Sequence, residues 1–293
     1  MRIGLGAPVS GAWATPETLA EVAARAEELG YDSLWTFQRL LVGVDERLDT
    51  VYQSVLDPLL SLTFAAAHTS RIRLGVALVN LPFVSPAYLA KQAATLDVLS
   101  AGRLDLGLGT GWSRTEFTAT GASRSRRGAR AEEYVRVLRT LWQDDPASFD
   151  GEFYTVPPSR MSPRPVQQGG PPILLGGSVP AALERAGRLA AGWMSRSATD
   201  LDRIAEDIAV VRAAAPDPDA VRVVVRGVVR VGARTGRLTG SYADIRADAA
   251  WLGSQGVTEL YYDLNWDEAI GNPDVTHTAA TTRATEIIEG LAP

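Results

Sequence analysis

The sequence predicts an α/β fold, one (β/α)8 TIM barrel that occupies residues 1–293 as a single domain with enlarged loops at its mouth. Short β-rich runs alternate strictly with amphipathic helical stretches from end to end, which favours a parallel sheet. The alternation yields eight strands and eight helices, the repeat number that closes a barrel. An open doubly wound sheet would carry a dinucleotide fingerprint at its first turn, whereas here Gly4 and Gly6 run on to Val9.

Strands are expected at 2–6, 33–37, 71–79, 104–109, 172–175, 192–194, 221–229 and 259–263. The first helix, 16–29, is the most explicit. Thr15 caps it, Pro16 takes its first position, Glu17 lies in its first turn and Gly30 follows its end. Leu19, Val22, Ala23, Ala26 and Leu29 give it an apolar stripe of helical period. Further helices are expected near 55–68, 87–99, 128–142, 180–190, 201–214, 243–255 and 278–291. Residues 143–170 precede a strand, which places them at the end of the barrel away from chemistry, as a hairpin followed by a Pro-rich link. Residues 38–54 and 264–277 follow strands and border the mouth, where long loops are usually functional.

Apolar residues make up 46% of the chain and charged residues 22%, an ordinary globular balance. A net charge of −5 gives no general attraction to nucleic acid or to an anionic membrane, so neither is expected as a partner. The absence of cysteine excludes disulfides, thiolate nucleophiles, iron–sulfur clusters and cysteine zinc sites. No apolar run is long enough to span a bilayer, and the chain opens on the strand-like MRIGLG rather than a charged leader, so a cytoplasmic protein is expected. All but Lys91 of the 29 basic residues are arginine, which reads as codon bias.

Three strand ends carry chemistry. Gly107, Gly109 and Gly111, with Thr110 and Trp112, close the fourth strand, where bare backbone can approach a ligand or simply turn. Gly176, Gly177 and Ser178 precede Pro180 at a helix start, a cradle for phosphate in which Ser178 either meets the anion or caps the helix. Asn80 leaves an apolar run at the end of the third strand, placed to cap it or to bond a planar heterocycle.

These pieces together resemble the luciferase-like monooxygenase superfamily, in particular its branch that uses the deazaflavin coenzyme F420. The signature is a strand with Gly75-x-x-x-x-Asn80, a helix reading LAKQAATLDVLSAGR, and then LGLGTGW. PPILLGGS with ALERAGRLAAGW over 171–193, and ELGYDSLW at the first helix end, extend the resemblance over the whole chain. The resemblance implies a non-proline cis peptide at Ala77–Leu78, bulged against the central ring of the cofactor. It also implies cofactor contacts from Asn80, Thr110, Gly111, Trp112 and Thr115, and a phosphate turn at Gly176, Gly177 and Ser178.

One departure bears on mechanism. Several deazaflavin dehydrogenases of this kind carry an Asp-His pair after the second strand, where this chain has Gln38 and Arg39. Both can donate hydrogen bonds, and they are the candidate catalytic pair, but arginine stays protonated and is no general acid at neutral pH. Protonation would then fall to water or a tyrosine. Hydride transfer from reduced F420 to a small organic substrate is the leading expectation. An FMN-dependent monooxygenase using reduced flavin and dioxygen, with a partner reductase, is the alternative, and a non-catalytic flavin-binding protein is the third.

Trp13, Asp263 and Asn265 follow strand ends and are candidates for substrate contact, with capping or packing as the plain alternative. Arg226 reaches either the mouth or an outer helix face. Arg124, Arg126, Arg127 and Arg130 form a basic run that is either a solvated helix start or a holder of an anionic cofactor tail. His68 and His277 are distant in sequence and no H-E-x-x-H occurs, so no metal site is expected. The resemblance further implies a homodimer.

Overall fold

The structure is a computed structural model that describes all 293 residues. Its barrel strands are β1 (Arg2–Gly6), β2 (Ser33–Thr36), β3 (Arg73–Asn80), β4 (Leu104–Gly109), β5 (Ile173–Gly176), β6 (Gly192–Met194), β7 (Arg222–Val228) and β8 (Glu259–Asp263). They are parallel, follow each other round the ring in chain order, and close through β1 and β8, where Arg2 pairs with Glu259 and Leu5 with Tyr262. The expected TIM barrel is therefore present.

The helices are α1 (Pro16–Glu28), α2 (Pro58–Ala67), α3 (Pro86–Leu99), α4 (Arg114–Thr120), α5 (Arg127–Gln143), α6 (Pro180–Leu189), α7 (Ile204–Ala214), α8 (Tyr242–Ser254) and α9 (His277–Gly290). Short α4 is additional to the expected eight. Ser113 caps it by accepting from the Glu116 N–H, and left-handed Gly121 ends it. In α1, Thr15 accepts from the Thr18 N–H, as its sequence requires. Residues 143–170 form the expected hairpin, Ala147–Asp150 against Thr155–Ser159. A two-residue parallel ladder, Arg230–Val231 with Thr239–Gly240, was not foreseen.

Most of the apolar core lies between the strands and the helix ring. A smaller cluster of Trp35, Ala77, Leu174, Met194, Val224 and Tyr261 fills the barrel itself, with Trp35 stacked on Tyr261 at 5.4 Å between ring centroids. At the N-terminal end of the strands, Asp105 accepts from Arg73 and Arg222, while Glu259 pairs with Arg2 and Arg222. These carboxylates are fully buried and multiply bonded, which closes the bottom of the barrel with charge rather than with apolar side chains. No helix is long and apolar enough to cross a membrane.

Candidate active site

The C-terminal strand ends surround an inner cavity of about 480 Å³. Gln38 and Arg39 reach it from the segment after β2, and Ala77, Leu78 and Asn80 from the end of β3. Thr110, Gly111 and Trp112 border it beyond β4, and Gly176 and Gly177 at β5. The peptide between Ala77 and Leu78 is cis, and β3 carries one extra residue there, since Val76 pairs with Leu106 but Val79 with Leu108.

The glycines beside this bulge have a steric reason to be glycines. A Cβ on Gly176 would lie 2.5 Å from Leu78 Cδ1, and one on Gly109 only 2.8 Å from the same atom. The bare backbone of β4 and β5 makes room for the Leu78 side chain, which projects into the cavity floor.

Gln38 is fixed in orientation. Its Oε1 accepts from the Asn80 backbone N–H at 2.8 Å and from Asn80 Nδ2 at 3.1 Å. A backbone N–H can only donate, so the oxygen must face Asn80 and the Gln38 amide nitrogen is left as the free donor at the cavity.

An outer cavity of about 750 Å³ adjoins the first and shares Tyr52, Trp112, Ser197, Ala198 and Arg226 with it. Between the two lies a ladder of cations and rings. The Arg39 guanidinium sits 4.5 Å from the Tyr52 ring centre and 4.4 Å from that of Trp112. Tyr52 meets Trp266 edge-on at 5.4 Å, and Arg226 lies 4.6 Å from Phe37 and 5.3 Å from Trp266. Burial works against the charge on Arg226, but Asp263, at 2.6 Å, outweighs it and holds the guanidinium protonated.

The three expected substrate contacts lie beneath the mouth instead of on it. Trp13 is fully buried and donates its indole N–H to Asn265 Oδ1 at 3.1 Å. That oxygen also takes the Ser10 N–H, while Asn265 Nδ2 donates to the Ala7 carbonyl and to Asp263 Oδ1. Both ends of the Asn265 amide are thus engaged internally, and Asp263 is occupied in holding Arg226. Residues 7–13, which follow β1, fold back onto the end of β8 and bond these groups, which chain order after a strand does not reveal. Thr115 lies outside the inner cavity and donates to Glu46 Oε1 at 2.6 Å. Ser178 is exposed and makes no cap; Val179 takes the N-cap position without any side-chain bond. Both histidines are engaged locally: His277 shares a hydrogen bond with Thr18 Oγ1 at 2.9 Å, and His68 packs on Phe64. No cluster of three His, Asp or Glu side chains is placed to hold a metal.

A third recess, about 370 Å³, touches Thr110 on its way to Arg124, Arg126, Arg127 and Arg185. It is bounded by the first turns of α5 and α6, through Gly128, Ala181 and Ala182. Helices α1, α2, α3, α4, α8 and α9 all have a capping side chain, and α7 continues from a turn capped by Asp200. Only α5 and α6 start without one; Pro180 has no N–H and the Ala182 N–H donates to the Val179 carbonyl, so the uncapped leading donors beside this recess are those of α5 and of Ala181 in α6.

The model of the luciferase-like monooxygenase family matches residues 2–282. The chain belongs to that family. Its luciferase-like relatives include an uncharacterised Mycobacterium tuberculosis protein, 40% identical over 50% of this chain and 52% of that one. The chain thus spans about half the length of the curated relatives it matches first. An F420-dependent glucose-6-phosphate dehydrogenase of Kineococcus radiotolerans is 32% identical over 70% of this chain and 59% of its own. An FMNH2-dependent dimethylsulfone monooxygenase of Pseudomonas putida is likewise 32% identical, over 71% and 56%. A solved monooxygenase from Streptomyces bottropensis shares the luciferase-like fold at a TM-score of 0.80 and 23% identity, covering 99% of this chain and 98% of its own.

Reading the luciferase-like site from sequence missed Tyr52, Arg185 and the 195–198 turn after β6. Tyr52 lay within a mouth loop already singled out by its length, and the 195–198 turn follows a barrel strand; those were the available signals. Arg185 carries none, being one arginine among many on a helix.

Proposed function

We propose that the chain is an F420-dependent oxidoreductase that moves a hydride between the reduced deazaflavin coenzyme and a small organic substrate with a C=C, C=N or C=O bond. The arginine recess carries this reading. Two uncapped helix starts and the guanidiniums of Arg124 and Arg127, joined by Arg126 and Arg185 that also pair with Glu152 and Glu132, are continuous at Thr110 with the inner cavity and suit an anionic chain longer than a single phosphate. In this reading Ala77, Leu78, Asn80, Thr110, Gly111 and Trp112 hold the ring system, Gly176 and Gly177 border the first phosphate, and Arg124, Arg127 and Arg185 take the tail. Thr115 and Ser178 then act on the neighbouring loops and not by contact.

When bound, the coenzyme supplies the hydride. The chain's own tasks are orientation and proton supply. Gln38, its oxygen held by Asn80, presents an N–H donor to the ring or the acceptor. Tyr52 is the tyrosine that borders both cavities and is the group we assign to protonate the acceptor. Tyr261 is unsuited, because burial pushes its phenol far above the usual range and it borders neither cavity.

The Pseudomonas putida relative, at the same 32% identity, supports a second reading: an FMN-dependent monooxygenase served by a reductase. Fluorescence titration of the purified protein with F420 and separately with FMN decides between them. Micromolar or tighter F420 binding with weaker FMN is expected. Preference for FMN with oxygen consumption would install the monooxygenase, and tight binding of either without turnover on any reducible substrate would leave a binding protein. We further propose a cytoplasmic homodimer joined through α2 and α3, whose outer faces leave Leu60, Phe64, Tyr88 and Leu99 exposed.

A further inference from the structure

We infer that the junction of the two cavities is an anion site, where Arg39 and Arg226 grip a planar carboxylate on an aromatic or unsaturated acid. This deepens the hydride-transfer reading and rests on it for which molecule reacts; the anion site itself stands on the side chains alone.

Both arginines are more than nine-tenths buried, at 7% and 8% exposure, and both border the inner cavity. Each has an acidic neighbour that leaves donors without an acceptor. Glu116 Oε2 lies 3.2 Å from Arg39 Nη1, yet Arg39 Nε and Nη1 make no aligned hydrogen bond, while Glu116 Oε1 is taken by the Leu40 N–H. Asp263 Oδ2 accepts from Arg226 Nε and also lies 2.6 Å from Nη2, without an aligned bond to it, while Oδ1 is taken by the Asn265 N–H and Nδ2. The Trp266 indole N–H beside Arg226 is also buried without an acceptor. Native interiors rarely leave such donors unpaired, and a cluster of four atoms around one cavity junction marks where an acceptor belongs.

The rings decide the shape of that acceptor. Tyr52 and Trp112 flank Arg39, and Phe37 and Trp266 flank Arg226, so each guanidinium plane is fixed and offers its donors edge-on. A fixed fork of parallel N–H groups matches two coplanar oxygens, and the same aromatic walls suit a flat, conjugated body. In the proposed reading the cofactor tail takes other arginines, those of the recess beyond Thr110, which leaves this pair for the substrate.

The experiment titrates the full-length protein with benzoate and with benzamide by isothermal calorimetry, first without cofactor and then with saturating F420 or FMN. Benzoate is expected to bind at least tenfold more tightly than benzamide, and to do so with cofactor present. Arg39→Gln combined with Glu116→Gln, and Arg226→Gln combined with Asp263→Asn, so that no lone buried carboxylate remains, should each abolish that preference while circular dichroism stays native. Equal binding of the two probes, no binding of either, or a preference that survives in both variants would overturn the site. Competition between benzoate and the cofactor would also overturn it, by giving the arginines to the cofactor. Should neither cofactor bind while benzoate preference holds, the cofactor reading fails and the anion site stands, and the comparison of wild-type protein with the two probes needs no variant to fold.

Discussion

Tyr52 and Leu78 show how single residues divide the work at the mouth. Tyr52 has Arg39 against its ring and Trp266 at its edge, so its phenol is held between the two cavities without being buried in the barrel. Tyr52→Phe keeps both packing contacts and removes only the proton; it should lower kcat by about 10²-fold or more, in line with loss of a general acid, while F420 affinity by fluorescence stays unchanged. An equal loss of affinity would make Tyr52 a binding residue. Leu78 presents the complementary case, where a side chain dictates its neighbours. Gly176→Ala should clash with Leu78 and cost about 1–3 kcal/mol in chemical denaturation, and adding Leu78→Ala should recover most of it. No recovery would mean that Gly176 is required by something other than Leu78.

At the scale of elements, the start of α6 was nearly legible and yet misplaced. Gly176, Gly177, Ser178 and Pro180 announced an anion turn, but the cap falls on Val179, and Ser178 points to solvent. A capping side chain would occupy backbone donors that the proposed anion needs, so in that reading the uncapped start gives up local stability for binding. Val179→Asp should raise the melting temperature by about 2 °C, the worth of one cap near 1 kcal/mol, and weaken F420 binding at least tenfold by filling and charging the recess. Stabilisation without lost affinity would remove the recess from the cofactor site. The strongly periodic α1 and the hairpin at 143–170 were readable because their signals are local: caps, proline, a helical stripe and a turn. Helix α4 was missed because RTEFTAT is seven residues with three threonines, too short to show a period. For Trp13 and Asn265 the structure shows the packing and capping alternative, which sequence left open because position after a strand does not say whether a loop folds outward or back over its neighbour. On the outer surface, Leu60→Glu with Phe64→Glu should convert the proposed dimer to monomers by light scattering, with the fold retained.

For the whole molecule, the two barrel ends face different chemical demands. The bottom is sealed by Asp105 and Glu259 among Arg2, Arg73 and Arg222, and a further carboxylate, Glu27, ties the end of α1 to the entry of β3. Burial works against ionisation of Asp105, but its bonds to Arg73 and Arg222 outweigh this and lower its pKa. Burial likewise opposes Glu27, and the N–H groups of Ile72, Arg71 and Ser70 overcome it to bring it down to about 2. Both groups titrate lower in the folded chain than unfolded, so their stabilisation is complete above the unfolded values of 4.5 and 3.8 and is lost as pH falls through the folded ones. Urea stability should therefore be flat from pH 7 to about 5 and fall steeply between 4.5 and 2; Glu27→Gln should lower the plateau and shorten that acid limb. A plateau that kept falling from pH 6 would place the sensitive group elsewhere.

The scarcity of lysine has a practical sequel. Lys91, the single side-chain amine among the basic residues, is exposed on α3, on the stripe that also carries Tyr88 and Leu99. An amine-selective label therefore has one side-chain address on the molecule, beside the face where two copies are proposed to meet, with its amine turned to the Ser162 carbonyl. Labelling rate against protein concentration would read association directly, as a footprint that the protein carries without any engineered tag.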